Sequence, residues 1–113
     1  MHELSLAGGI LQAVEDAAAR EAFARVLQLR LEVGKLAGVE LQALRFALEA
    51  IAPSTLLEGA EVLIDEPPGR AWCMGCSTAV EIGQRGDACP ACGGHWLTPQ
   101  GGDELRVVDM QVA

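Results

Sequence analysis

Four cysteines stand as two pairs, Cys73-Met-Gly-Cys76 and Cys89-Pro-Ala-Cys92, with twelve residues between them. At that spacing two tight knuckles can face each other and offer four sulfurs at tetrahedral corners, a soft donor set that selects zinc ahead of hard cations. Gly75 inside the first knuckle and Gly93 after the second let the backbone turn closely around sulfur and aim N–H groups at it. A dithiol redox centre is the alternative chemistry, but it needs one such pair beside a thioredoxin-type unit, and here two pairs stand without one. Four protein ligands close the coordination sphere, so Zn(II) on Cys73, Cys76, Cys89 and Cys92 is expected to be structural and not catalytic. A module of fewer than about 40 residues generally needs such a staple to fold. Between the knuckles, 78–82 reads as the first strand of a hairpin and 83–87 as its tip. His95, three residues past Cys92, is either a loop histidine or a ligand able to exchange with a thiolate. Trp72 and Trp96 flank the knuckles and are expected to pack a very small core, the alternative being exposed anchors for a partner.

The other chemistry-bearing residue is His2. A histidine in second position is bulky enough that Met1 is expected to be retained, which places an α-amine, two backbone amides and an imidazole within three residues. The amine of Met1, the amide nitrogens of His2 and Glu3 and the His2 ring can enclose a d⁸ ion in one plane, a tetragonal nitrogen set that suits Ni²⁺ or Cu²⁺. Amides bind only after losing their protons, so uptake would depend on pH. A solvated, frayed terminus is the reading without chemistry.

These residues need elements to position them. Leu4, Ala7, Leu11, Val14 and Ala18 recur at steps of three and four and predict an amphipathic helix, interrupted in composition by Gly8 and Gly9. Leu27, Leu29, Leu31 and Val33 alternate with Gln28, Arg30 and Glu32, which predicts a half-buried strand. After Gly34 and Gly38, helical spacing returns at Leu41, Leu44, Leu48 and Ile51 and stops at Pro53. Residues 61–65 read as a short strand ended by Pro67-Pro68-Gly69, and 104–112 as a strand that returns to complete a sheet. The expected fold is α+β: two helices on a small, mostly antiparallel three-stranded sheet, with an inserted Cys₄ zinc ribbon. Residues 1–69 and 103–113 would form the α+β domain and 70–102 the ribbon.

Composition narrows the function further. With 113 residues, a large multi-lobed enzyme is excluded, and 50% hydrophobic against 21% charged residues describes a chain that folds. A formal charge of −8 has the wrong sign for a nucleic-acid binder. No apolar run reaches the roughly 20 residues of a membrane span, and the first residues lack a basic leader, so the expected location is the cytoplasm, with reduced cysteines.

Met1-His2-Glu3-Leu4-Ser5-Leu6, then Val33-Gly34-Lys35-Leu36-Ala37-Gly38-Val39, Glu58-Gly59-Ala60 and the Cys-x₂-Cys-x₁₂-Cys-x₂-Cys ribbon together resemble the HypA/HybF family of hydrogenase nickel-incorporation proteins. The likeness covers essentially the whole chain. It implies a nickel metallochaperone without turnover of its own, holding Ni(II) as cargo at Met1, His2 and Glu3 and structural Zn(II) at Cys73, Cys76, Cys89 and Cys92. It also implies delivery to the large subunit of nickel-iron hydrogenase together with a HypB-type GTPase, some relatives serving urease maturation as well. By the same resemblance Glu40 falls near the nickel end, as a neighbour of the metal ligands or a partner contact. The alternative for Glu40 is an acidic residue favoured by the dipole at a helix start. Many relatives carry serine where this chain has Ala37, which puts a helix cap in doubt. The competing function is a zinc-ribbon interaction module with no nickel role, in which His2 is inert. A catalytic zinc enzyme would need an open coordination position.

Overall fold

The computed structural model describes residues 2–113, in the order α1 (His2–Glu21), β1 (Val26–Val33), α2 (Leu41–Ile51), β2 (Glu61–Asp65), β3 (Gly69–Cys73), β4 (Thr78–Ile82), β5 (Leu97–Gly101) and β6 (Leu105–Val112). A single 3₁₀ turn, Lys35–Ala37, stands between β1 and α2. The strands form two three-stranded sheets, β2-β1-β6 and β4-β3-β5.

By proximity the chain divides into two compact units. The described residues of one run to Leu31 and then cover Val39–Ile64 and Val107–Ala113; the other comprises Glu32–Gly38 and Asp65–Arg106.

In the first unit α1 packs on α2. Ala7, Ile10, Val14 and Ala17 of α1, Val26, Leu29 and Leu31 of β1, and Leu44, Ala47 and Leu48 of α2 are buried. Of the stripe expected on α1, Ala7 and Val14 are buried, Leu11 and Ala18 are half-buried, and the buried face is shifted to one side. Ile10 and Ala17 are buried more deeply than their neighbours Leu11 and Ala18, and Leu4 is exposed. In β1 the step from buried Val26 to buried Leu29 spans three residues, which turns Leu27 outward against its expected inward position. Glu40, not Ala37, caps α2: its carboxylate accepts from the Ala43 N–H.

The long strands run antiparallel, since Ala113 exchanges hydrogen bonds with Arg25 at one end of the β1–β6 pair while Gly34 donates to Glu104 at the other. Polar side chains on the outer face of β1 meet its neighbours: Gln28 donates to Glu61 at 2.7 Å and Glu32 accepts from Arg106 at 3.0 Å.

In the second unit β3 is the central strand, antiparallel to β4 (Cys73 opposite Thr78) and to β5 (Cys73 opposite Leu97), with a bulge between Arg70 and Ala71. The burial along β3 alternates, with Gly69, Ala71 and Cys73 inward. Its core is Leu36, Ala71 and Ile82, flanked by Val80 and Leu97. Both tryptophans lie outside that core: Trp72 occupies an outward position of β3 and Trp96 is 69% exposed. The expectation that they pack the small core is corrected; Leu36, Ala71 and Ile82 fill it.

Three chain crossings meet here at glycines. A Cβ on Gly34 would lie 2.0 Å from the Gly102 oxygen, one on Gly102 would lie 2.5 Å from the Gly69 Cα, and one on Gly69 would lie 2.6 Å from Leu36 Cγ. Backbone packed that closely excludes any side chain. Hydrogen bonds tie the crossings together, from Gly34 to Glu104 (2.8 Å), Lys35 to Pro67 (3.0 Å) and Leu36 to Gly102 (2.7 Å).

Candidate metal centre

Strand β3 ends on Cys73, the knuckle turn brings Cys76 back, and Cys89 and Cys92 arrive from the opposite side. The four sulfurs lie within 4.8 Å of one another, Cys73 to Cys92 at 3.7 Å and Cys76 to Cys89 at 4.0 Å. A tetrahedral ion with metal–sulfur bonds of about 2.3 Å requires sulfurs about 3.8 Å apart, so the set fits zinc. No cysteine is in a disulfide. Cys73 and Cys89 are buried, Cys76 is half-buried and Cys92 is exposed.

Backbone N–H groups complete the surroundings of the sulfurs. Cys76 donates to Cys73 Sγ, Ala91 to Cys89 Sγ and Gly94 to Cys92 Sγ, each at 3.4 Å. Such donors stabilise thiolate over thiol. The Cys89 thiol is drawn down to about 7 chiefly by the Cys92 N–H, with Ala91 adding to it against burial. Cys76 is pushed up to about 12 by the sulfurs of Cys92 and Cys73 beside it. Sulfurs this close cannot all ionise alone; a divalent cation among them removes that conflict. His95 is exposed and stands outside this four-sulfur set.

At the other candidate site, Met1 lies outside the described residues. His2 opens α1 with its side chain 59% exposed, and its Nδ1 is 3.6 Å from the Glu3 carboxylate. That carboxylate accepts from the Glu40 N–H at 3.2 Å, which holds the Glu3 carboxyl below its ordinary range. Glu40 thus reaches the terminus through its backbone, while its side chain serves as the cap of α2. The family resemblance placed Glu40 near this end, but nothing in the sequence anticipated its bond to Glu3, a contact across 37 residues that no local spacing encodes. Among the described residues, no helix is long and apolar enough to cross a membrane.

Fold and site together define a class: a small α+β protein of two units, one holding a cluster of four cysteines and the other opening on an exposed histidine. Residues 1–112 match the family model described as hydrogenase/urease nickel incorporation, metallochaperone, hypA. The hydrogenase maturation factor HypA of Polaromonas naphthalenivorans is 66% identical over 100% of this chain and 98% of its own. That of Cupriavidus necator is 65% identical over 99% and 94%. The solution structure of the Ni metallochaperone HypA from Helicobacter pylori superposes with a TM-score of 0.68 at 16% identity, over 97% of this chain and 96% of that one, a likeness of fold. The chain belongs to the HypA family of nickel-incorporation metallochaperones of hydrogenase maturation.

Proposed function

We propose that the chain carries Ni(II) at its amino terminus and releases it during maturation of nickel-iron hydrogenase, while Zn(II) on Cys73, Cys76, Cys89 and Cys92 holds the second unit folded. The observation that carries this reading is the placement of His2 at the start of α1, its ring exposed beside the Glu3 carboxylate. The first N–H groups of a helix have no acceptor within it, so the amides of His2 and Glu3 can give up protons to a metal without breaking a helical bond. A bare dication is disfavoured at the positive end of a helix dipole. Two deprotonated amides cancel its charge, and Glu3 adds a nearby anion. With the Met1 amine and the His2 ring, these nitrogens make the tetragonal set that nickel favours.

The cargo site is open, so a partner with better ligands can strip it, whereas a zinc held by four thiolates is not exchanged in the same step. The partners on this reading are a HypB-type GTPase and the hydrogenase large subunit, with urease maturation proteins as a second client, all in the cytoplasm. Residues 1–69 and 103–113 then serve nickel and 70–102 serve zinc. The role is carriage, with no reaction turned over.

Elemental analysis of the untagged chain after incubation with Ni(II) and removal of excess tests this. About one zinc in both the native chain and His2→Ala, with about one nickel in the native chain alone, is expected. Equal nickel in both, or none in either, refutes it. The exposed Trp96 favours a second reading, a zinc-stapled docking module without nickel. On that reading His2→Ala leaves function intact and loss of Cys73 abolishes it.

A further inference from the structure

Helix α1 contains Gly8 and Gly9 in its interior, and a Cβ built on either meets nothing within 4 Å. No close approach requires glycine there, and neither residue has a positive φ. Each nonetheless shifts the balance between a formed and a frayed helix toward fraying by about 4- to 5-fold relative to alanine. The position of the pair divides the helix. Beyond it Ile10, Val14 and Ala17 are buried; before it Ala7 is the one fully buried residue and Leu4 is 47% exposed. Residues 2–7 are thus held by the Ala7 methyl group, partly covered Leu4 and Leu6 and the Glu3–Glu40 hydrogen bond, with no large side chain fully buried.

We propose that Gly8 and Gly9 form a hinge at which the first turns of α1 unwind so that the terminus can enclose nickel, an inference that rests on the amino-terminal nickel reading above. In a helix the N–H groups of successive residues point along the axis, side by side. A square-planar set needs the His2 and Glu3 amide nitrogens, the amine and the ring nitrogen converging on one centre. The two geometries exclude each other, so the metal selects the unwound state and its apparent affinity scales with the fraction already open. Rewinding on transfer favours release, and the buried residues from Ile10 onward keep the rest of the helix in place throughout.

The test titrates the zinc-loaded full chain with Ni(II) by calorimetry and follows helix content by far-ultraviolet circular dichroism. Native protein is expected to lose helix signal as nickel binds. Gly8→Ala and Gly9→Ala should each raise the nickel Kd about 4- to 5-fold and the double variant about 20-fold, without loss of folding, because both positions are sterically open. Ala19→Gly, exposed in the last turn, is the control and should leave Kd unchanged. A double variant within two-fold of native, with His2→Ala still abolishing binding, overturns the hinge while leaving the nickel site standing. An equal effect from Ala19→Gly also overturns it. Native affinity retained in His2→Ala refutes the amino-terminal site itself, and the hinge with it.

Discussion

Gly102 and Gly86 have almost the same φ, +88° and +89°, but different surroundings, and replacing each by alanine separates the cost of that positive φ from packing. At Gly86 a Cβ meets nothing within 4 Å. Gly86→Ala therefore incurs only the left-handed penalty of about 1–2 kcal/mol. At Gly102 the same penalty applies, and the Cβ also falls 2.5 Å from both the Gly69 Cα and the Pro68 oxygen. Carbon atoms normally rest about 3.5–4.0 Å apart, so the crossing must open by roughly 1 Å. An opening of that size breaks the 2.7 Å bond from Leu36 to Gly102. Losing that bond costs about 0.5–1.5 kcal/mol, and more where its groups stay buried without partners. The expected total for Gly102→Ala is about 2–5 kcal/mol, at least about 1 more than for Gly86→Ala. Urea unfolding of the zinc-loaded variants, followed by the native amide resonances of β3, measures both. Free energies of unfolding within about 0.5 kcal/mol of each other would show that the glycine crossing contributes no packing constraint.

Removing zinc with a chelator should melt β3, β4 and β5 together, read as loss of amide protection at 71–73, 78–82 and 97–98, while α1 and α2 persist; protection surviving at 71–73 would mean that the sheet stands without metal. Glu3 has a folded pKa below the ordinary 4.5 because the Glu40 N–H stabilises its carboxylate. A depressed carboxyl favours the folded contact above the unfolded pKa and loses it as pH falls through the lowered value. The Glu40 amide resonance is therefore expected to hold steady from neutral pH to below 4.5 and to shift only under more acid conditions. A shift centred near or above 4.5 contradicts the contact. Glu3→Gln should remove the acid shift altogether.

The elements legible in sequence were those with a clean period or a fixed place beside the ligand spacing: α1, α2, β1, β2, β4, the returning β6, and the four cysteines. Where adjacent residues are both apolar, as in Ile10-Leu11 and Ala17-Ala18, periodicity cannot choose which one is buried more deeply, and the buried face of α1 lies to one side of the expected stripe. Strands β3 and β5 leave weak signatures. Gly-Arg-Ala-Trp-Cys turns only small residues inward, and Leu-Thr-Pro-Gln-Gly contains a proline that an edge strand tolerates and a central strand does not. The tryptophans misled because burial of large aromatics is the usual way to build a small core, whereas here Leu36, brought from a distant segment, takes that place. Glu40 read correctly as a helix-start residue, but its backbone bond to Glu3 depends on the packing of α1 and α2 and has no local sign.

The outward placement of Trp72 and Trp96 gives the molecule two separable optical channels. The chain has no tyrosine and only these two tryptophans, so its indole absorption and emission arise entirely from the second unit. Both α-helices lie in the first. Trp72 precedes Cys73 in the chain, and the carbonyl of Trp96 accepts from the Met74 N–H within the knuckle at 2.9 Å. Indole emission therefore reads the second unit and helical dichroism the first, so changes in the two units can be followed separately in one unlabelled sample.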